Sequence, residues 1–505
     1  MKTIKFNVLI KRFGANIASW PLLMLILIVS FKAPGDPDLG WHLQNGFYTL
    51  KHWTIQAGDV FSWTMPNYPW ISHEWLTEIF MSSIYSVTGL WGLTIVFMFV
   101  IAGIFWLSTR ANYRSTFSNS LMATLIGLTI AWPVIGIRPQ MFTLLGLAML
   151  LYVLFAWRRS RRGIFLYSIP VIFAVWVNMH AGFAAGFLLV GVFIVGEIIR
   201  SLVIGKAQHK KEEVVSLVGL AKLGGYTYIL GSLATLLNPY GWGIYREIIA
   251  TLNQPEVLGQ IAEWLPVDFT AQGSFNLMIG GILTLILLMA TRFKVDYTKF
   301  LIAVFFFFFS LTSWRHIALF AIACMPFITE QIDVISRKLY DEMSRNWIVP
   351  LGLLSIVVLA GWWHIGQSIP VISDANAYAT AYHFPKEAVE YIKTHAVGNK
   401  MFNEYNWGGY LIWQLPPKKV FIDGRMAIWN DGKIKIFDEF NNIMSGHKST
   451  VLNALAKWDV DFVLVDSKRI LNAILSSERE DWDIVYQDAM SSIWVRRDTG
   501  DNIQI

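Results

Sequence analysis

Apolar segments that approach the thickness of a bilayer recur along this chain, and the junctions between them alternate in charge. Basic clusters stand at every second junction: Lys2, Lys5, Lys11 and Arg12 before 14–32, Arg110 and Arg114 after 90–109, and Arg158, Arg159, Arg161 and Arg162 after 141–157. The series continues with Lys206, Lys210, Lys211 and Lys222 after 182–201, Arg292 and Lys294 after 274–292, and Arg337, Lys338 and Arg345 after 316–330. The remaining apolar segments are 118–136, 163–178, 223–237, 298–312 and 347–363. Basic residues stay on the cytoplasmic side of an inserted chain, and a crossing takes ~20 apolar residues. The alternation therefore sets the N-terminus inside and, after about eleven crossings, the C-terminus outside.

Composition agrees: 55% of the 505 residues are hydrophobic and 15% are charged, too little charge for a soluble surface. The net charge of +6 is no sign of nucleic-acid binding, because the basic residues sit at the ends of apolar runs. The single cysteine, Cys324, lies in an apolar run, which excludes a disulfide framework and a thiolate metal site. The first apolar stretch lacks a small-residue cleavage site and reads as a retained anchor in the plasma (cytoplasmic) membrane.

The expected fold is a polytopic α-helical membrane protein with a soluble extracytoplasmic α/β domain at its C-terminus. The boundary is placed between a transmembrane domain, 1–363, and the domain 364–505. The first outer loop, 33–89, belongs to the former and is too apolar to be a passive connector. Leu39, Leu43, Phe47 and Leu50 recur at helical spacing and predict an interfacial helix. "GDVFSWTMPNYPW" reads as extended because Pro66 and Pro69 forbid a helix, and "HEWLTEIFMSSIYSVTG" as a second juxtamembrane helix ending at Gly89. In the C-terminal domain "PKEAVEYIKTH", "KIKIFDEFNNIMS" and "KSTVLNALAKW" read as helices, and "KKVFID", "DFVLVD" and "MSSIWVRR" as strands of a mostly parallel sheet.

Topology places most polar residues that are not membrane anchors on the outer side. Asp36 and Asp38 follow the first span at once, and two carboxylates so close repel unless hydrated or bridged by a cation. A divalent ion, Mg²⁺ or Mn²⁺, would relieve that repulsion, with Asp36 and Asp38 as ligands. Asp38 is equally a helix N-cap. Glu74 is either catalytic or a cap of the second helix, and His42 and His73 lie near it in the loop; His42 also reads as an interfacial aromatic. Arg138, with Gln140 beside it, stands at an outer turn against the positive-inside bias, where a guanidinium suits a phosphate or snorkels to headgroups. Arg315 and His316 repeat that pattern. Asn178 and His180 interrupt an apolar segment, as substrate contacts or as bonds between helices. In the C-terminal domain Gly408–Gly409 allows close backbone approach, and Trp407 and Tyr410 read as a sugar-stacking platform or a packed turn. Asp423 and Arg425 end a predicted strand, as site residues or as an ion pair closing the turn.

The stretches "DPDLGWHLQNGFYTLKHWTI" and "HEWLTEIFMSSIYSVTGLWGLTIVFMF" resemble the start of the GT-C membrane glycosyltransferases, in the branch of the protein mannosyltransferases and the aminoarabinose transferases. "NWGGYLI" and "VFIDGR" are similar to segments of oligosaccharyltransferase catalytic subunits, although Gly408 stands where their acceptor motif carries aspartate, which argues against asparagine-sequon recognition. The resemblance implies an inverting enzyme that moves a sugar from a polyprenyl-phosphate (or diphosphate) donor, a membrane lipid, to a glycan, lipid or protein acceptor. It implies Asp36 or Asp38 as base or metal ligand and the outer arginines as phosphate contacts. A transporter or flippase, and a non-catalytic envelope assembly protein, are the alternative readings. A transporter carries its polar groups near the midplane, whereas here they concentrate on one face.

Overall fold

The computed structural model describes residues 19–205, 215–271, 273–292, 294–343 and 348–497. Lys2, Lys5, Lys11, Arg12, Lys206, Lys210, Lys211 and Arg345, used above to set orientation, lie outside them. The chain divides into two compact units. One comprises 1–32, 94–242 and 258–369; the other comprises 33–93, 243–257 and 370–505. The first outer loop thus clusters with the C-terminal segment rather than with the transmembrane helices, where the sequence had assigned it.

The first unit is helical. Where they are described, the apolar segments named above fall mainly on helices, among them Ser19–Ser30, Phe117–Ala131, Gln140–Ser160, Gly163–Met179, Ser274–Ala290 and Tyr297–Ser310. Among the described residues four stretches, Trp75–Thr109, Gln140–Ser160, Ala181–Val203 and Leu217–Ala234, are long and apolar enough to cross a bilayer, and a bent pair, Trp314–Ala323 with Met325–Arg337, makes a fifth. Ser19–Ser30, Phe117–Ala131, Gly163–Met179, Ser274–Ala290 and Tyr297–Ser310 are apolar but shorter than the ~20 residues of a perpendicular span. Arg158, read as a membrane anchor, instead pairs with Asp296 and, at 3.2 Å, with the buried Glu197. Glu197 also accepts from Thr298 Oγ1 at 2.7 Å, so helices Ala184–Gly205 and Tyr297–Ser310 are bound by a polar cluster as well as by packing.

The second unit holds the predicted helix Leu39–His52 and the start of Trp75–Thr109. That long helix breaks at Gly89, whose φ of 61° and ψ of −153° suit glycine alone, so the predicted end of the juxtamembrane helix is real. The C-terminal segment forms a four-stranded sheet, β1 (Met401–Asn403), β2 (Phe462–Asp466), β3 (Trp482–Gln487) and β4 (Ser491–Arg496), in the order β1-β2-β4-β3. Only the β1–β2 pairing is parallel, so the sheet is mixed rather than mostly parallel. "KKVFID" is not one of its strands. Val420 makes a single bridge to Ser62, and the segment runs on into the turn at Gly424. The predicted helices appear at Lys386–Thr394, Ile436–Met444 and Lys448–Lys457, with Val389, Phe440 and Val451 among the residues they bury in the core.

Candidate functional site

The acidic motif is set by how helix Leu39–His52 begins. Asp36 Oδ1 accepts the Asp38 backbone N–H at 3.0 Å, and the Asp38 carbonyl accepts from His42 N. The Asp38 side chain makes no capping bond, so the alternative of a plain helix cap fails. Its carboxyl lies instead against Gly424, where any Cβ would collide with it. The start of this helix also packs on helix Gly408–Gln414: a Cβ at Gly409 would strike the Pro37 carbonyl, and one at Gly40 the Gly409 carbonyl. That is the close approach the glycine pair foretold. Burial, then repulsion from Asp36, raises the Asp38 carboxyl to about 7.

One turn further on, His42 meets two carboxylates. Its Nδ1 lies 3.1 Å from Glu78 Oε1 and 3.5 Å from Glu74 Oε2, and the ring is 4% exposed. Burial opposes a charge on the ring, but Glu74 and Glu78 outweigh it and raise His42 to about 9. The interfacial role envisaged for this histidine is therefore replaced by a buried polar one. His73, 3.5 Å from Glu74, is raised in the same way, burial again being overcome by Glu74. Glu78 escaped the sequence reading, although it stands four residues after Glu74 and so on the same helix face. Its Oε2 accepts from Asn45 and, at 2.9 Å, from Ser72 Oγ.

His42, Glu74 and Glu78 each offer a ligand atom, all within 4.8 Å of one another. Among the described residues this is the group that could hold a metal ion, and neither Asp36 nor Asp38 belongs to it. One imidazole and two carboxylates suit Mn²⁺ better than Mg²⁺, which prefers oxygen alone. The buried Asn45 Oδ1 beside them has no hydrogen-bond partner, as fits a place where a hydrated ion would bind.

Asp423 and Arg425 are an ion pair, but not one at the surface. Arg425 Nε and Nη2 donate to the two Asp423 oxygens at 2.8 and 2.6 Å, and Nη2 reaches Asp59 Oδ1 at 2.9 Å. The rings of Trp41, Phe61, Trp70 and Trp429 surround the guanidinium at 4.8–5.7 Å. Asp59, also missed, accepts from the Phe61 and Ser62 N–H groups, so it fastens the extended part of the loop. Trp407 and Tyr410 form no open platform. Both are buried, Trp407 donating its indole N–H to the His383 carbonyl at 2.9 Å and Tyr410 stacking on Phe384 with centroids 4.5 Å apart.

In the first unit Arg138 and Arg315 do come together, on a residue the sequence reading passed over. Glu263 bridges them, with Oε1 2.7 Å from Arg138 Nη1 and Oε2 2.9 Å from Arg315 Nε. Burial works against its charge, but the two guanidiniums hold the Glu263 carboxyl below its ordinary range. Arg138, Gln140, Glu263 and Arg315 line a cavity of about 220 Å³ with Pro133, Val134, Ala262 and Trp314. Lys32 secures the turn before Arg138 by donating to the Trp132 and Ile135 carbonyls at 2.8 Å. The other polar candidates hold helices. Asn178 donates to the Ala174 and Leu237 carbonyls, and His180 accepts from Gly182 N and pairs with Thr143 Oγ1. His316 stacks on Phe309 and bonds Thr312 Oγ1 at 2.9 Å.

No family model and no curated protein matches this sequence. Solved structures do resemble it. The archaeal oligosaccharyltransferase AglB from Archaeoglobus fulgidus, in complex with an inhibitory peptide and a dolichol-phosphate, aligns with a TM-score of 0.51 at 10% identity, over 90% of this chain and 69% of that one. ArnT from Cupriavidus metallidurans in the apo state aligns with a TM-score of 0.50 at 11% identity, over 98% of both chains. The break at Gly89, the acidic motif and the mixed C-terminal sheet thus lie in a chain whose fold is similar to those of AglB and ArnT.

Proposed function

We propose that this chain is an integral membrane glycosyltransferase that moves a sugar from a polyprenyl-phosphate-type donor to an extracytoplasmic acceptor. The observation that carries the reading is the acidic motif at Asp36–Asp38, one helical turn before a buried His–Glu–Glu cluster, in a chain whose fold is that of two lipid-linked sugar transferases. Its N-terminus lies in the cytoplasm and its C-terminal segment outside, as the basic junctions require.

In the proposed step an acceptor hydroxyl attacks the anomeric carbon. The acceptor oxygen forms the new bond, the bond from that carbon to the phosphate oxygen breaks, and its electron pair leaves on the lipid phosphate. The hydroxyl proton passes to Asp36, and the single displacement inverts the anomeric centre. Asp36 is favoured over Asp38 because the Asp38 carboxyl is packed against Gly424. In the first unit, taken by itself, Arg138 and Arg315 are the side chains whose chemistry suits a phosphate group. A divalent ion held by His42, Glu74 and Glu78 would supply a positive charge that orients oxygen ligands.

Incubation of the purified protein with lipid-linked sugars should release lipid phosphate. Asp36→Asn should lower that rate by about 10²–10⁴-fold while leaving expression and thermal midpoint near wild type. A full rate in Asp36→Asn, Asp38→Asn and the double variant would remove these carboxylates from the reaction. Transport of intact donor without release would make the chain a flippase.

A further inference from the structure

The bridge at Glu263 is unlike a simple ion pair. Two guanidiniums meet one carboxylate at the wall of a cavity of about 220 Å³. At ~30 Å³ per water molecule that space holds more heavy atoms than a phosphoryl group has. The segment that carries Glu263 is fixed at its backbone. Ser313 Oγ donates to the Glu263 carbonyl at 2.8 Å, Trp314 N to Leu265 O at 3.2 Å, and Val267 N to Leu311 O at 3.3 Å. Arg315 is held separately, over the Trp264 ring at 4.8 Å. Arg315 and the backbone of the segment that carries Glu263 are thus held by contacts other than the carboxylate, and a rotation of the Glu263 side chain opens the pair. A carboxylate and a phosphate compete for the same guanidinium geometry.

We infer that Glu263 is an internal stand-in for phosphate: its carboxylate occupies a phosphate seat formed by Arg138 and Arg315, and an incoming phosphate group must displace it. The inference rests on the reading of those arginines as phosphate contacts. It gives Glu263 the role of a built-in competitor that keeps the pair ordered when no donor is present and weakens retention of the phosphate product.

The test is equilibrium binding of inorganic phosphate and of a polyprenyl phosphate in detergent, on the full chain, for wild type, Glu263→Gln, Glu263→Asp, Arg138→Ala and Arg315→Ala. Glu263→Gln should bind phosphate about five- to tenfold more tightly than wild type, whereas Glu263→Asp, which keeps the charge, should stay within about twofold. A gain with both ligands assigns the seat to a lipid headgroup, and a gain with inorganic phosphate alone assigns it to a free anion. Unchanged binding in Glu263→Gln, with loss in the arginine variants, overturns the competitor role and leaves the phosphate reading standing. Unchanged binding in every variant overturns both. Equal shifts in Glu263→Gln and Glu263→Asp would show local damage rather than relief of competition and would also overturn the inference.

Discussion

The two arginine–carboxylate clusters use the same chemistry in opposite proportions. At Arg425 one guanidinium lies between two carboxylates, Asp59 and Asp423, and the side chains are 0–1% exposed. At Glu263 one carboxylate lies between two guanidiniums, and the side chains are 19–37% exposed. Desolvation is the difference that matters. Charges removed from water must stay paired whatever the protein does, whereas charges at a solvated cavity can exchange one partner for another at little cost. The first arrangement suits a fixed joint and the second an exchangeable ligand. Sequence inspection treated Asp423–Arg425 and Arg138/Arg315 alike, as candidate site residues, and only burial separates them.

That contrast can be broken most directly at Arg425. Arg425→Ala leaves two buried carboxylates facing each other without a cation and should cost about 3–5 kcal/mol, read as a fall in thermal midpoint in detergent. A variant as stable as wild type would show that the cluster is not the fixed joint described. Asp59→Asn should cost less, about 1–3 kcal/mol, because Asp423 still pairs with Arg425 and the amide oxygen can keep one of the two bonds from the Phe61 and Ser62 N–H groups. Arg138→Ala and Arg315→Ala should each change stability by at most about 1 kcal/mol while weakening donor binding, and a large loss of stability there would erase the distinction. The smallest effect is the acid dependence of the bridge. The Glu263 carboxyl is held below its ordinary value, so its contribution is present above the unfolded value and is lost as pH falls through the lowered folded one. A shallow loss of stability below the usual glutamate range should therefore be absent in Glu263→Gln.

What could be read from sequence followed from periodicity and charge. Apolar runs marked the helices, Gly89 marked a break, and the outer arginines were singled out because they oppose the charge bias of the rest of the chain. The partners were not visible, because each is remote in sequence. Nothing near Arg138 announces Glu263, and nothing near Arg425 announces Asp59. Glu78 was the accessible omission, since a carboxylate four residues from Glu74 shares its face. β1 is three residues long and carries no alternation, and "VFID" has the composition of a strand without a neighbouring strand to pair with. Strand pairing is set by tertiary neighbours, which local composition does not encode. Trp407 and Tyr410 misled for a related reason: an aromatic pair beside glycines looks the same in sequence whether its faces meet a ligand or the Phe384 ring.

The seat of the Asp38 carboxyl on Gly424 ties the chemistry to the order of synthesis. Asp38 leaves the ribosome early, but the surface that receives it does not exist until residue 424 has emerged and folded. A nascent chain halted between the two would carry its first acidic motif without the backbone that positions it. Whatever depends on this seat would then be gained only once residue 424 is in place.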